Sequence, residues 1–249
     1  MITAQRPHEV HERLAASGRF GPFKPESEQA IRTQIVETNQ AIEKMKRTWE
    51  LQAWEWCDIL VHYGAIHNEK TYGRILDSIK HRYSAKDVED FSIALSEFQG
   101  EMYFSTKAGL FLSALINSCK GDDFVVHTAH FAEPIKAFGY RNTSNITVEG
   151  DVGLYVGEDM GMGTIAVKGN ADGNVGWYMR GGSVTVEGNA NEVGHQMIGG
   201  RIIVNGNAGD DIGDGMTGGE IVINGTIGSI SPDFERGRIF HKEKLIIER

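Results

Sequence analysis

The chain has 249 residues, of which 24% are charged and 40% hydrophobic, and its formal net charge is −9. This acidic balance argues against non-specific nucleic-acid binding, because such binding needs a basic face to neutralise phosphates. The sequence contains no run of 18 apolar residues and no apolar leader, so we expect neither a membrane span nor a secretion signal. Cys57 and Cys119 are then expected to be reduced, buried thiols of a cytoplasmic protein.

Glycine is distributed unevenly along the chain. Of the 31 glycines, 22 lie between Ile146 and Ile230, so the composition changes near residues 120 to 145. We therefore predict a helical domain over residues 1–120 and a glycine-rich domain over residues 121–249.

The first half carries a helical pattern. Apolar residues recur in three- and four-residue steps from Pro25, which predicts one long amphipathic helix ending near Gly64. A short helix is expected after Asn68, and Ser84 precedes Asp87 at the spacing of a capping box. From there the rhythm continues to Ile116, with kinks expected at Gly100 and Gly109. These elements predict an antiparallel helical hairpin or small bundle, in which the Trp and Phe stripe is core or, as the less favoured alternative, a docking face.

The second half is an internal repeat with a period of 18 or 19 residues. Each copy begins with an apolar–x–apolar strand, at Ile146, Ile165, Val184, Ile202 and Ile221. One glycine column comprises Gly150, Gly169, Gly188, Gly206 and Gly225, and a second comprises Gly157, Gly176, Gly194 and Gly213. A methionine column follows at Met160, Met179, Met197 and Met216. Such a period is typical of a stacked solenoid.

The length of each copy favours a parallel β-helix of about five or six coils. The turns leave no room for a helix, and equivalent residues of stacked strands lie about 4.8 Å apart. We expect the Ile and Val columns and the methionines to fill a dry core, and the glycines to serve corners or close backbone approaches. Together the halves predict an α+β fold in which helices and strands are segregated.

The stretch IGDGMTGGEI contains Gly213, Gly215 and Gly218 at the G-x-G-x-x-G spacing of dinucleotide-binding loops. That mechanism needs a helix after the loop, whereas EIVING, from Glu220 to Gly225, alternates as a strand does. The stretch is copy four of the repeat, so a nucleotide site is not expected there.

In register, three segments resemble a known family: VEGDVGLYVGEDM, GNADGNVGWYMRGGSVTVEGNA and GNAGDDIGDGMTGGEIVINGTIGSIS. They resemble the GXGXG domain found in the C-terminal part of the glutamate synthase large subunit and in the C subunit of formylmethanofuran dehydrogenase. The formyltransferase/hydrolase complex of methylotrophs uses the same module. EPIKAFGY, from Glu133 to Tyr140, is similar to the lead-in of archaeal versions, and the resemblance covers about residues 124 to 241. It implies a right-handed parallel β-helix that positions catalytic domains or subunits, without catalytic residues in the coils. We expect no cofactor in this chain.

Candidate chemical residues are few. His127 and His130 stand just before the coils and are the candidates for catalysis, although a metal site would need further ligands. HEVHE, from His8 to Glu12, matches a zincin motif only by its letters. Cys57, His62 and His67 are possible ligands that we do not expect to converge. We expect Asp210, Asp211, Asp214, Glu158 and Asp159 to be solvated turn residues, with a cation or partner site as the alternative.

Three functional hypotheses follow. In the first, the chain is a non-catalytic scaffold subunit of an enzyme complex in one-carbon or amide-nitrogen metabolism, and Trp177, Tyr178 and His195 form a ridge that faces the partner. In the second, it is an enzyme with a site at the junction of the halves that uses His127, His130 and acidic turn residues. In the third, it is a homo-oligomer assembled through the Trp-rich helices, with the solenoid as its binding surface.

Overall fold

A computed structural model describes residues 28–52, 65–119 and 123–249. Its helices are α1 (Glu28–Glu50), α2 (Ala65–Ser78), α3 (Ala85–Ala94), which continues into a 3-10 turn over Leu95–Phe98, and α4 (Phe104–Ser118). Its strands are β1 (Asp123–His127), β2 (Asn145–Glu149), β3 (Thr164–Val167), β4 (Ser183–Val186), β5 (Arg201–Val204), β6 (Glu220–Ile223), β7 (Arg238–His241) and β8 (Lys244–Glu248). The chain divides into two compact units, Met1–Gln40 and Ala41–Arg249. The predicted boundary between residues 120 and 121 stays a prediction.

The strands form one sheet in chain order, β1 to β8. Strands β1 to β7 are parallel, and β8 turns back to pair with β7 in antiparallel fashion. The predicted repeat starts occupy the same register row: Ile146 pairs with Ile165, Val184 with Ile202, and Ile202 with Ile221. This row is buried, because alternate residues of each strand point inward.

Two further rows close each coil around the core. One contains Val152, Ala171, Ala190 and Ala208, which are buried and joined by isolated parallel bridges to neighbouring coils. The other holds the methionine column, whose four members have no exposed surface, so the prediction that they fill the core is confirmed. The second half is therefore a parallel β-solenoid of about six turns, as predicted.

A ladder of hydrogen bonds from main-chain N–H groups to Asp and Asn side chains links the coils beside the first glycine column. The main-chain N–H of Asn170 donates to Asp151 Oδ1 at 2.7 Å, and that of Asn189 donates to Asn170 Oδ1 at 2.9 Å. The ladder continues through Asn207 to Thr226. Each side chain thus accepts a hydrogen bond from a main-chain N–H in the turn of the next coil. In so tight a turn, no backbone carbonyl could otherwise accept that hydrogen bond.

The second glycine column is required by packing as well as by backbone shape. Gly176 has a φ of +71°, and a Cβ there would lie 2.5 Å from Cδ1 of Ile202. A side chain at this corner would therefore displace the core residue of a later coil. Gly215, which completes the apparent nucleotide fingerprint, shares its positive φ with the equivalent Asp159, Tyr178 and Gln196, so its glycine fits a repeated corner.

The structure adds one coil that the repeat alignment missed. Strand β1 forms its first side, and the segment around EPIKAFGY forms its last. The N–H of Ala137 donates to Leu154 O at 2.8 Å, and that of Arg141 donates to Glu158 O at 3.0 Å. The coil keeps the corner glycine, as Gly139 with a φ of 75°, but Asn142 takes the place of the core methionine. It also contacts the helices, since a Cβ on Gly109 of α4 would collide with the carbonyl oxygen of Lys136.

The helical half is divided differently from the prediction. Helix α1 ends at Glu50 rather than near Gly64, because the Gln52 amide donates to Thr48 O and to Ser78 Oγ and ties this end to α2. Residues 53–64 lie outside the described part.

The predicted helix from Val88 to Ile116 is two helices. The break lies before Phe104, where Tyr103 has a φ of 61°, and α4 is a continuous α-helix through Gly109. The capping box of Ser84 and Asp87 is confirmed.

The aromatic stripe of this half is core where the structure describes it. Trp49 is 1% exposed and lies 5.3 Å from the rings of both Phe98 and Phe111. Helix α3 packs on β1 and covers that end of the sheet. Tyr72 and Asn117 connect α2 and α4 to the first coil, since Asn117 Nδ2 donates to Tyr72 Oη at 2.8 Å and to Tyr140 O at 3.2 Å.

Candidate docking surface

One corner of the solenoid brings together most of its chemically distinctive side chains. Equivalent positions of successive coils there hold Tyr140, Glu158, Trp177, His195 and Asp214. Main-chain bonds hold this register: the N–H of Asp159 donates to Trp177 O at 2.9 Å, and that of Tyr178 donates to His195 O at 3.2 Å. Because the coils stack at a constant spacing, the sequence period itself aligns these side chains along the solenoid axis.

Four half-buried rings on this corner form a continuous surface, which we call the aromatic ridge: Tyr155, Trp177, Tyr178 and His195. The Trp177 ring stacks on Tyr155 at 4.9 Å and on Tyr178 at 5.4 Å between ring centroids, and lies 5.7 Å from His195. The Trp177 Nε1 atom is buried without a hydrogen-bond partner among the described residues. The structure therefore brings the three predicted ridge residues together.

Tyr155 is a ridge residue that sequence reasoning missed. It lies in a different column, where its equivalents are Asn174, Glu192 and Asp211, so the alignment does not set it beside Trp177. All four have positive φ values between 47° and 68°. A large aromatic residue in a column otherwise occupied by Asn, Asp and Glu was the available signal.

A network of ion pairs flanks the ridge. Asp159 accepts hydrogen bonds from Arg141 Nε at 2.8 Å and from Arg180 Nε at 2.5 Å. Arg141 also donates to Glu69 Oε1 of α2 at 2.9 Å. The hydrogen bond to Asp159, with the one to Glu69, raises the pKa of the Arg141 guanidinium above its ordinary value. Asp159 is therefore committed to ion pairs and is not the solvated turn residue that we expected.

The neighbouring carboxylate Glu158 is fully buried, at 0% exposure. It lies in the same column as Tyr140, whose phenol is also buried. Burial raises the pKa of Tyr140, and the negative charge of Glu158 adds to that rise. Glu158, too, departs from the expectation of a solvated turn.

Asp214 joins a histidine to a serine at the lower end of the ridge. Its Oδ2 lies 3.3 Å from His195 Nε2, and its Oδ1 accepts from Ser231 Oγ at 2.6 Å. Ser231 is 5% exposed and accepts the main-chain N–H of Asp233. The serine hydroxyl thus donates to the carboxylate and does not contact the imidazole, so the trio lacks the order of a nucleophilic triad.

An open cavity of about 590 Å³ lies beside this trio. It is lined by Gln196, Asp214, Gly215, Pro232, Asp233, Phe234, Glu235 and Arg249. Three carboxylates line it against a single guanidinium, so its walls are mostly acidic. The Arg249 guanidinium itself donates to Phe234 O at 2.7 Å. The cavity is therefore unsuitable for an anionic ligand.

The predicted histidine pair lies where α3 meets β1. His127 Nε2 is 3.2 Å from Glu89 Oε1, and the main-chain N–H of His127 donates to Ser92 Oγ at 3.1 Å. His130 packs on the Phe131 ring at 4.1 Å between centroids, and burial, followed by the charge of His127, lowers its pKa below 6.5. These contacts join the helices to the first strand, and sequence reasoning missed both Glu89 and Ser92.

The remaining candidates stay apart. Asp210 and Asp211 are exposed turn residues, and within 28–52, 65–119 and 123–249 no three His, Cys, Asp or Glu side chains converge as a metal site would require. Cys119 is a free, half-buried thiol whose pKa burial raises. The HEVHE motif, Cys57, His62 and the side chain of His67 lie outside the described part of the chain. The absence of a cofactor stays a prediction.

A scan against models of known protein families finds no match to this chain, and a search of curated proteins finds no significant match either. Among the helices that the structure describes, none combines the length and the apolar character needed to cross a membrane.

Proposed function

We propose that the chain is a scaffold subunit whose solenoid presents the aromatic ridge to a protein partner. The observation that carries the proposal is the ridge itself: four adjacent, half-buried rings on one corner of the solenoid. Tyr and Trp offer large contact areas at low entropic cost and are enriched where proteins bind one another.

The setting of the ridge supports binding rather than chemistry. Its main chain is fixed by coil-to-coil hydrogen bonds, so the rings stand on a rigid base that loses little entropy on association. The flanking network of Arg141, Asp159 and Arg180 supplies a polar rim of both charges around the rings. Asp214 and Ser231, the nearest polar groups of chemical interest, lack the geometry of a nucleophile and its base.

The resemblance to the GXGXG domain suggests what kind of partner the ridge would bind. We propose a catalytic subunit of an enzyme complex in one-carbon or amide-nitrogen metabolism, because the resembled domains position catalytic domains or subunits of such enzymes. The complex would then be an oxidoreductase or a formyl- or amido-transfer enzyme, and this chain would hold its parts in place in the cytoplasm.

The alternative of an enzyme at the junction of the two halves has less support. His127 is paired with Glu89 and so joins β1 to α3, and His130 is packed on Phe131. An activity screen of the protein and its His127→Ala variant, with metal analysis, tests this alternative. Activity that is lost in the variant would favour it over the scaffold.

The test of the scaffold proposal is reconstitution with the enzymes encoded by adjacent reading frames. We expect one of them to co-purify with this chain and to change in activity or assembly when the chain is omitted. If none of them associates with it or responds to it, the proposal fails.

A further inference from the structure

The two ends of the sheet differ in how they are covered. At the first end, helix α3 packs on β1. At the other end, β8 is the last strand, and no described strand pairs with its outer edge. An uncovered edge offers unpaired N–H and C=O groups to any strand that can reach it.

Strand β8 also exposes apolar side chains that a protected edge would hide. Leu245 and Ile246 are each 42% exposed. Ile246 has no residue opposite it on β7, because a register shift leaves it between the Leu245–Phe240 and Ile247–Ile239 pairs. Among the described residues, Lys244 and Glu248 make no ion pair, so their charges are available to a partner.

The sequence of this edge is complementary to itself. It reads KLIIE from Lys244 to Glu248. In an antiparallel pair centred on Ile246, Lys244 stands opposite Glu248 of a second copy, and Leu245 stands opposite its Ile247. Two opposite-charge pairs then flank three apolar pairs, which is the cross-strand arrangement that stabilises an antiparallel ladder.

Only this centre aligns the charges. Moving the axis by one residue to Leu245 places Lys244 opposite Ile246. Moving it to Ile247 instead places Glu248 opposite Ile246. A charge facing an apolar residue loses the cross-strand pair, so the charge pattern selects one register.

We propose that this chain forms a homodimer through β8, with a twofold axis at Ile246 that joins the two sheets edge to edge. A twofold interface requires a surface that complements itself, and the charge palindrome around Ile246 meets that requirement without a foreign partner. The interface differs from the one expected through the Trp-rich helices, where Trp49 is core. It does not depend on the scaffold function, because it uses neither the ridge nor its flanking charges.

The test uses the full chain in sedimentation equilibrium over a wide concentration range. We expect the wild type to have twice the 27.5 kDa of one chain. Lys244→Glu and Glu248→Lys should each weaken the dimer roughly tenfold, because each turns two attractive pairs into repulsive ones. The double variant Lys244→Glu/Glu248→Lys should restore the dimer, since the swapped charges again face each other.

Lys168→Glu, an exposed charge change elsewhere on the solenoid, is the matched control and should leave the dimer intact. Thermal melts of all variants establish that they fold. A wild type that is monomeric throughout overturns the proposal. A dimer that the single variants do not weaken, or that the double variant does not restore, overturns it as well, because the contact then lies elsewhere. If a foreign protein occupies this edge instead, the chain alone is monomeric, and a β8 variant of it fails to bind that protein.

Discussion

Ser92 and His127 join the helical half of the molecule to its first strand. The main-chain N–H of His127 donates to Ser92 Oγ at 3.1 Å, while the same hydroxyl donates to Glu89 O at 2.6 Å. Ser92 has no exposed surface, so water cannot replace either bond.

Ser92→Ala is therefore expected to lower the free energy of unfolding by about 1–3 kcal/mol, the cost of leaving a buried N–H unsatisfied. Urea denaturation measures it. Ser96→Ala is the matched control, because the exposed Ser96 hydroxyl makes a similar bond to Ile93 O at 3.0 Å within its own turn. Equal losses in the two variants would show that the link to His127 adds nothing.

The same junction makes stability depend on pH. The hydrogen bond from His127, and then the one from Lys86, lowers the pKa of Glu89 below its ordinary value of 4.5. A carboxyl whose pKa is lower in the folded state stabilises the fold above its unfolded pKa, and that contribution is lost as the pH falls through the folded pKa.

We expect Glu89→Gln to be less stable than the wild type at pH 7 and the difference to shrink below about pH 4.5. Denaturation at a series of pH values measures this convergence. Asp90→Asn removes the other carboxylate beside Lys86 and should retain the acid-dependent loss due to Glu89. A difference between wild type and Glu89→Gln that stays constant down to about pH 3 would contradict the assignment.

The corner glycines can be tested by adding a methyl group. Gly176→Ala would strain a left-handed backbone, at about 1–2 kcal/mol, and crowd Ile202, at about 1–3 kcal/mol. Gly161→Ala is the control, because no atom lies within 4 Å of a Cβ there and its φ is not positive. We expect a large loss in thermal melting temperature for Gly176→Ala and a small change for Gly161→Ala. Similar melting temperatures would mean that this corner is not fixed by its glycine.

The repeat was predictable because a solenoid repeats its physical constraints. The four copies from Ile146 to Ile202 each have an inward apolar pair, a corner glycine and a core methionine, so the period alone places Ile165 beside Ile146. The first coil was not recognised because it shares only the corner glycine, Gly139, and has Asn142 at the methionine position. Its close contact with α4, between Gly109 and Lys136, is long-range and is not encoded in a local pattern.

The helix ends and the contacts between α3 and β1 could not be predicted from local sequence patterns either. The end of α1 is set by Gln52 bonding to Ser78 in another helix, while the apolar rhythm continues past it. The rings of Trp177, Tyr178 and His195 were predictable as a ridge because they share columns of one corner. Their stacking on Tyr155 depends on left-handed corner geometry that the spacing does not reveal.

The central claim is that the ridge docks a partner. It is tested most directly by measuring the affinity of the co-purifying enzyme from an adjacent reading frame for three forms of the chain: the wild type, Trp177→Ala and Trp177→Phe. Trp177→Ala removes the middle ring of the stack, whereas Trp177→Phe keeps an aromatic six-membered ring and loses the pyrrole part of the indole with its buried Nε1–H. We expect Trp177→Ala to weaken binding by about tenfold or more, in the range of an interface hot spot, and Trp177→Phe to bind nearly as the wild type does, with all three equally folded. Equal affinity of the Trp177→Ala variant and the wild type would contradict the claim.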